Sequence, residues 1–258
     1  MGRIDLHAHV LPPRYLAGLR MPDGQALPLP PATLDLLLET MASYEIDAAV
    51  ISTGPPGAFL GDQARANELA RTANDELAAI VREYPHRFAA LGLLPLPDVD
   101  AALAELVYAL DVLSLDGVAL LSNVGGTYLG DPAWDPLFDE LDRRGAYVFV
   151  HPTFPPHAPP LPHPIWLYEF TFDTTRAIVS LIYSGTLERC PNVKLQFAHL
   201  GGTAPFLAHR LASLAAREPQ LAELAPAGAL TYLRRLYYDT GLSNNMPALA
   251  ATLEVTSL

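Results

Sequence analysis

The sequence predicts an α/β protein, a single (β/α)8 TIM-type barrel domain over residues 1–258 whose eighth strand is missing from this chain. Three observations lead there. Short apolar runs rich in β-branched residues alternate with longer stretches of helical periodicity, which is the rhythm of βα units around a parallel sheet. Proline clusters at Pro12-Pro13, Pro28–Pro31, Pro55-Pro56 and Pro152–Pro164 follow the C-terminal ends of those runs, the side on which barrel enzymes carry their loops. Histidines recur at several of the same strand ends. A doubly wound sheet shares the rhythm, but the first junction, His7-Ala-His-Val-Leu-Pro-Pro13, lacks the glycines that admit a dinucleotide pyrophosphate.

The strands are expected at Arg3–His7, Asp47–Ser52, Phe88–Leu94, Gly117–Leu121, Tyr147–His151, Val193–His199 and Leu236–Asp239. Helices are expected over Ala32–Tyr44, Asp62–Glu83, Val99–Leu113, Asp135–Arg144, Phe172–Glu188, Ala204–Arg217 and Met246–Leu253. Each intervening helix is long enough to return the chain to the start of a parallel neighbour. Half of the residues are hydrophobic and 17% are charged, a balance that buries a core.

Several function classes are excluded by composition. A net charge of −12, with no basic run longer than Arg143-Arg144 or Arg234-Arg235, offers no footprint for nucleic acid. The single cysteine, Cys190, forms no intrachain disulfide and suits a reducing cytoplasm, and no apolar segment approaches the ~20 residues of a membrane helix. Lys194 is the sole lysine and has no glycine-rich loop beside it, which argues against Schiff-base chemistry, a P-loop or a carboxylated-lysine metal bridge. A metal site is therefore expected to hold one ion.

His7 and His9 stand two apart on an extended strand, so both project to one face and two imidazoles at that spacing can bind one ion. The competing reading is one core histidine and one turn histidine. His151 ends the fifth strand directly before Pro152, and a third neutral imidazole there would complete a three-histidine set with open positions on the ion. Zn²⁺ is expected first and Mn²⁺ next. His199 ends the sixth strand ahead of Gly201-Gly202 and is either a fourth ligand or a general acid/base; its place beside the metal favours the second role. His86, His157 and His163 lie in polar or proline-rich turns and read as solvent-exposed, and His209 is ambiguous.

The motifs Asp5-Leu-His-Ala-His9, Asp47-Ala-Ala-Val-Ile-Ser52, Leu94-Pro-Leu-Pro97, Asp116-Gly-Val118, Leu129-Gly-Asp-Pro132, Phe149-Val-His-Pro152, Phe172-Asp-Thr-Thr175, Ser184-Gly-Thr-Leu187, Ala198-His-Leu-Gly-Gly202 and Tyr238-Asp-Thr240 run over nearly the whole chain. Together they resemble the decarboxylase branch of the amidohydrolase superfamily, which contains aminocarboxymuconate-semialdehyde, γ-resorcylate and 6-methylsalicylate decarboxylases. The resemblance implies that His7, His9 and His151 are metal ligands and that His199 is the acid/base. It implies that Arg210 reaches across a homodimer interface to a substrate carboxylate, whereas the residue alone reads equally as a helix-surface arginine. Trp166, Tyr168, Phe170 and Phe172 are either apolar walls of the site or plain core packing. The loop from Ser52 to Phe59 holds no cation, which favours a monocarboxylate over a dicarboxylate. The implied activity is decarboxylation of a hydroxylated, salicylate-like aromatic acid. The alternatives are metal-assisted hydrolysis of an ester, lactone or amide, and a catalytically defective relative.

One departure stands out. The family's eighth-strand aspartate, in a Gly-(Ser/Thr)-Asp-(Tyr/Trp)-Pro motif, has no counterpart, and the chain stops at Leu253-Glu-Val-Thr-Ser-Leu258 where that strand would begin. The expectation is a C-terminally incomplete domain. Asp239 matches a different position and is not expected to be a ligand.

Overall fold

The computed structural model describes residues 2–20, 25–27, 29–156, 161–215 and 217–256. The chain divides into two compact units, Met1–Leu120 and Leu121–Leu258.

The first unit carries β1 (Ile4–His9), β2 (Ala48–Ser52), β3 (Phe88–Leu93) and most of β4 (Gly117–Leu121), paired in parallel in that order. Its helices are α1 (Pro13–Gly18), α2 (Leu34–Ser43), α3 (Gln63–Glu83) and α4 (Val99–Val107), the last continued by a π-helical turn over Tyr108–Val112. Side chains place the starts: Thr33 accepts from Leu36 N, Asp62 from Arg65 N and Asp98 from Ala101 N, each engaging an amide that the first helical turn leaves without a partner. The 21-residue α3 buries Ala66, Leu69, Ala70, Ala73, Asn74, Leu77 and Ala78, a stripe of period near 3.6 made mostly of small residues that lets the helix lie close to the strands. Asn74 is the polar exception. Its amide accepts from Leu93 N at 2.7 Å and donates to Leu93 O at 3.0 Å and to Glu105 at 2.8 Å, so it fastens the end of β3 to α3 and α4. The buried Glu105 carboxylate is balanced by Arg71 at 2.8 Å, whose guanidinium lies 3.6 Å above the Tyr108 ring.

The second unit opens with a hairpin, β5 (Asn123–Val124) and β6 (Thr127–Tyr128), turned by Gly125 and Gly126, both at positive φ. Three further strands pair in parallel, β7 (Tyr147–His151), β8 (Lys194–Phe197) and β9 (Tyr237–Tyr238). Helices α5 (Asp135–Arg144), α6 (Glu169–Tyr183), α7 (Thr186–Arg189), α8 (Ala204–Ala215), α9 (Pro219–Leu224), α10 (Ala229–Arg234) and α11 (Met246–Leu253) fill the connections. The core holds Val148, Phe149 and Val150 of β7, Leu195 and Phe197 of β8, and Leu137, Phe138, Leu141, Ile178, Leu181 and Ile182 of the helices.

The seven barrel strands and their helices are thus the expected βα succession of a TIM-type barrel, and no eighth barrel strand occurs among the described residues. Three boundaries differ for physical reasons. The helix expected over Phe172–Glu188 starts earlier, at Glu169, and breaks at Gly185, whose φ of +80° takes the chain out of the helical region before α7. The expected Val193–His199 strand ends at Phe197, because His199 and Leu200 adopt φ of +58° and +54°. The hairpin after β4 was not expected, although Gly-Gly between Val124 and Thr127 is a two-residue hairpin-turn signal. No helix among the described residues is long and apolar enough to cross a membrane.

Gly130 explains part of the Leu129-Gly-Asp-Pro132 motif, since a Cβ there would lie 2.4 Å from the Ser180 carbonyl oxygen of α6. Gly130→Ala is expected to lower unfolding stability by about 1–3 kcal/mol through overpacking against immovable backbone. Urea denaturation checks this, and a midpoint equal to wild type would show that α6 can move aside.

Candidate metal centre

In the first unit β1 delivers the two histidines. Strand β1 pairs Asp5 with Ala49 and then Ala8 with Ile51, so the stretch between them holds an extra residue, and the Asp5 carboxylate accepts the His7 amide at 2.9 Å across this irregularity. Ala8, between His7 and His9 in sequence, is buried, and the two imidazoles meet on one face as expected. Their rings meet edge to face at 4.9 Å, and their Nε2 atoms are 3.1 Å apart. Two nitrogens each about 2.0–2.1 Å from a tetrahedral zinc ion are separated by roughly 3.3 Å, so this pair fits one ion without rearrangement. His9 Nδ1 lies 3.2 Å from Ser52 Oγ at the end of β2, a hydroxyl able to accept the Nδ1 proton and leave the Nε2 lone pair for a ligand role. Gly54 packs behind the same ring. At φ of +66° it occupies backbone space that L-residues avoid, and a Cβ would meet His9 Nδ1 at 2.8 Å.

In the second unit His151 closes β7 and is buried. Its Nδ1 is 2.7 Å from the Pro152 carbonyl oxygen, which can only accept, so Nδ1 carries the proton and Nε2 presents the lone pair of a neutral ring. That is the tautomer a metal ligand requires. His199 is also buried, with its ring centroid 5.4 Å from that of His151. Because its backbone is left-handed, strand alternation does not direct the side chain, and Asp239 holds the backbone of that turn. The Asp239 carboxylate accepts the His199 amide at 3.0 Å, the Gly241 amide at 2.9 Å and Gln196 Nε2 at 3.2 Å, while the Asp239 carbonyl accepts Leu200 N at 2.7 Å. Tyr147, whose hydroxyl donates to Gln196, is pushed up to about 12 by burial and then by the Asp239 charge, so it remains a donor. Gly202 allows the following turn to approach α6, since a Cβ there would lie 2.1 Å from the Thr171 carbonyl oxygen.

Among the four aromatics proposed as walls, Phe170 is the one whose ring meets these histidines, edge-on to His151 at 5.8 Å and nearly parallel to His199 at 6.4 Å. Phe154 packs against its other side at 5.7 Å. Trp166 and Phe172 are exposed. Arg210 is exposed on α8, one turn after Phe206, which is 80% exposed. His86, His163 and His209 are exposed, and His157 lies outside the described residues. Gly54 and Asp239 were not singled out as positioning groups from the sequence; each acts through a backbone position that spacing does not reveal. For Asp239, Tyr238-Asp-Thr240 at a strand end was the available signal.

The amidohydrolase family model matches residues 4–257. The chain is 34% identical to the 6-methylsalicylic acid decarboxylase of Penicillium expansum over 98% of its own length and 81% of that protein. Its structure is similar to a crystal structure described as amidohydrolase II, with a TM-score of 0.88 and 27% identity over 99% of this chain and 84% of that one. It also resembles, at 22% identity and a TM-score of 0.80 over 98% of this chain and 82% of that one, a dihydroxybenzoic acid decarboxylase from Polaromonas sp. JS666 with bound manganese and 2-nitroresorcinol.

Gly54→Ala is expected to push the His9 ring off Ser52 and to weaken divalent-ion binding about 10- to 100-fold, the range for losing an orienting contact behind a ligand. Equilibrium titration of the metal-free chain with Zn²⁺ measures it. Wild-type affinity in a folded Gly54→Ala variant would remove His9 from the centre.

Proposed function

The chain belongs to the amidohydrolase family, and from that premise we propose that it is a metal-dependent carboxy-lyase that removes CO₂ from a hydroxylated, salicylate-like aromatic acid. The observation that carries this is the 34% identity to a 6-methylsalicylic acid decarboxylase, which extends over 98% of the chain and so includes every histidine discussed above. We propose His7, His9 and His151 as the ligands of one divalent ion. The supporting facts are the 3.1 Å separation of His7 Nε2 and His9 Nε2 and the fixed Nδ1–H tautomer of His151. Zinc suits three imidazoles, with manganese next. When bound, such an ion supplies Lewis-acid polarisation of the substrate's phenolic and carboxylate oxygens.

The residues around it have separate tasks. Phe170 offers a flat apolar surface beside His199, against which an aromatic ring can lie. His199 delivers a proton to the ring carbon that bears the carboxylate. As the bond from that carbon to the carboxyl carbon breaks, its electron pair takes up this proton and CO₂ leaves, so the product is the same phenol with hydrogen in place of carboxylate. The stretch Thr53-Gly-Pro-Pro-Gly-Ala58 brings no cation for a second carboxylate, which favours a monocarboxylic acid. We further propose a homodimer in which Arg210, exposed beside Phe206, pairs with a substrate carboxylate in the partner's site.

Incubating the metal-loaded chain with salicylate, 6-methylsalicylate and 2,6-dihydroxybenzoate, and following the phenols by chromatography, tests the reaction. No phenol from any of them, with hydrolysis of an aryl ester or lactone instead, would move the chain to the hydrolases. His199→Ala is expected to reduce turnover by about 10²- to 10⁴-fold and keep the ion. Loss of the ion by elemental analysis would make His199 a ligand. Arg210→Ala is expected to raise KM with a smaller change in kcat, and a monomeric mass by light scattering at micromolar protein would sink the shared-site reading.

A further inference from the structure

Asp173 is fully buried on α6, and among the described residues its hydrogen-bond partners are four neutral donors and no lysine or arginine. Oδ1 accepts from Asn123 Nδ2 at 3.0 Å and from the Tyr128 hydroxyl at 2.8 Å. Oδ2 accepts from Ser122 Oγ and from the Thr153 amide at 3.0 Å. One carboxylate therefore joins three segments: the β5–β6 hairpin, the chain just past His151, and α6. The segments are tied again nearby, because Ser122 N donates to the His151 carbonyl at 2.9 Å. Phe170, one turn earlier on α6, places its ring against both His151 and His199.

Resting on the reading of His151 as a metal ligand, we propose that Asp173 is the positioning residue that sets His151 and Phe170 together, so that ion and aromatic substrate are held by one buried anchor. Asp173 touches neither; it acts through the Thr153 amide and through its own helix. The donor set explains why a carboxylate is needed. An ionised carboxylate accepts at both oxygens, whereas an amide presents a donor at one of them. Thr153 N–H is backbone and cannot turn away. Asn123 cannot flip its amide at no cost, because its Oδ1 already accepts Gly126 N at 2.9 Å. An amide at position 173 thus sets donor against donor on either side.

The same geometry supplies the rescue. In the double variant Asp173→Asn with Asn123→Asp, the amide at 173 donates to the carboxylate at 123, which still accepts Gly126 N. The net charge is also restored. In the full chain freed of metal, Asp173→Asn is expected to shift the imidazole ¹H–¹⁵N signals of His151 and to weaken binding of Zn²⁺ about 10- to 100-fold, as for other groups that orient a ligand from behind. The double variant is expected to return the signals and to bring affinity within roughly threefold of wild type on the same principle. A group that only contributes stability would lower the unfolding midpoint while His151 signals and Zn²⁺ affinity stayed at wild-type values, and that result overturns the proposal. If Asp173→Asn does not fold, Tyr128→Phe removes one donor and keeps the carboxylate. A shift of the His151 signals in that variant supports the proposal, and unchanged signals overturn it. A wild-type chain that binds no Zn²⁺ or Mn²⁺ overturns the metal centre itself; the metal-free His151 signals then decide the role of Asp173 independently.

Discussion

A neutral imidazole presents a lone pair at one nitrogen only when the other nitrogen carries the proton, and His9 and His151 each have an acceptor beside Nδ1 that meets this requirement. His151 meets it with the carbonyl of the next residue, Pro152, at no cost in additional side chains. A proline at this position has no amide hydrogen to place, and its fixed φ constrains the path of the chain away from β7. His9 meets it with Ser52 from the adjacent strand, and Gly54 clears the space behind. The two solutions differ in what lies beside each strand end: His9, the last residue of β1, is paired with Ser52 of β2, whereas His151, the last residue of β7, is followed directly by Pro152. Each ring is thus oriented by groups from its own unit.

The buried carboxylates obey a related rule. A buried charge without partners costs several kcal/mol, and Glu105 and Asp173 are each met by donors that also fasten backbone. Glu105 takes Asn74 and Arg71, and through Asn74 secures the end of β3. Asp173 has four neutral donors in place of a cation. Burial, then the hydrogen bond to that carboxylate, raises the Tyr128 pKa well above its ordinary value, so the phenol stays protonated and keeps donating. A neutral-donor shell fixes direction as well as charge, which an arginine at the end of a flexible stem does less well.

The barrel succession and the places of His7, His9, His151 and His199 at or just past strand ends were legible because they rest on local signals. Strand runs at Ala48–Ser52 and Tyr147–His151 are apolar and β-branched, and helix starts at Asp62 and Asp98 are capping residues. His7 and His9 were legible as a pair because the two-residue period of extended backbone brings such residues to one face, although the irregularity between Asp5 and Ala8 could not be read. What stayed hidden depends on tertiary contact. Nothing in Phe172-Asp-Thr-Thr175 says that Asp173 faces Thr153 twenty residues earlier, and nothing in a row of alternating aromatics singles out Phe170 from Trp166. The placement of His199 on strand six was right to within two residues, but the reason its ring is held, a left-handed turn bound to Asp239, lies 40 residues away in the chain.

That turn shows how a position unfavourable to histidine is sustained. Consecutive non-glycine residues at positive φ, His199 and Leu200, cost on the order of 1–3 kcal/mol each. Against this stand the Asp239 carboxylate on the His199 amide and the Asp239 carbonyl on the Leu200 amide, one bond to each strained residue. A hydrogen bond to a charged acceptor contributes roughly 1.5–3 kcal/mol and a neutral one about 0.5–1.5, so the two offset most of the strain. Gly201 and Gly202 then absorb the remaining reversal, with Gly202 seated against α6 where no side chain fits. Had the chain continued as a regular strand to His199, the alternation of side chains would have dictated the ring's direction. Leaving the strand at Phe197 frees the imidazole from that alternation, and Asp239 holds the backbone from which it projects.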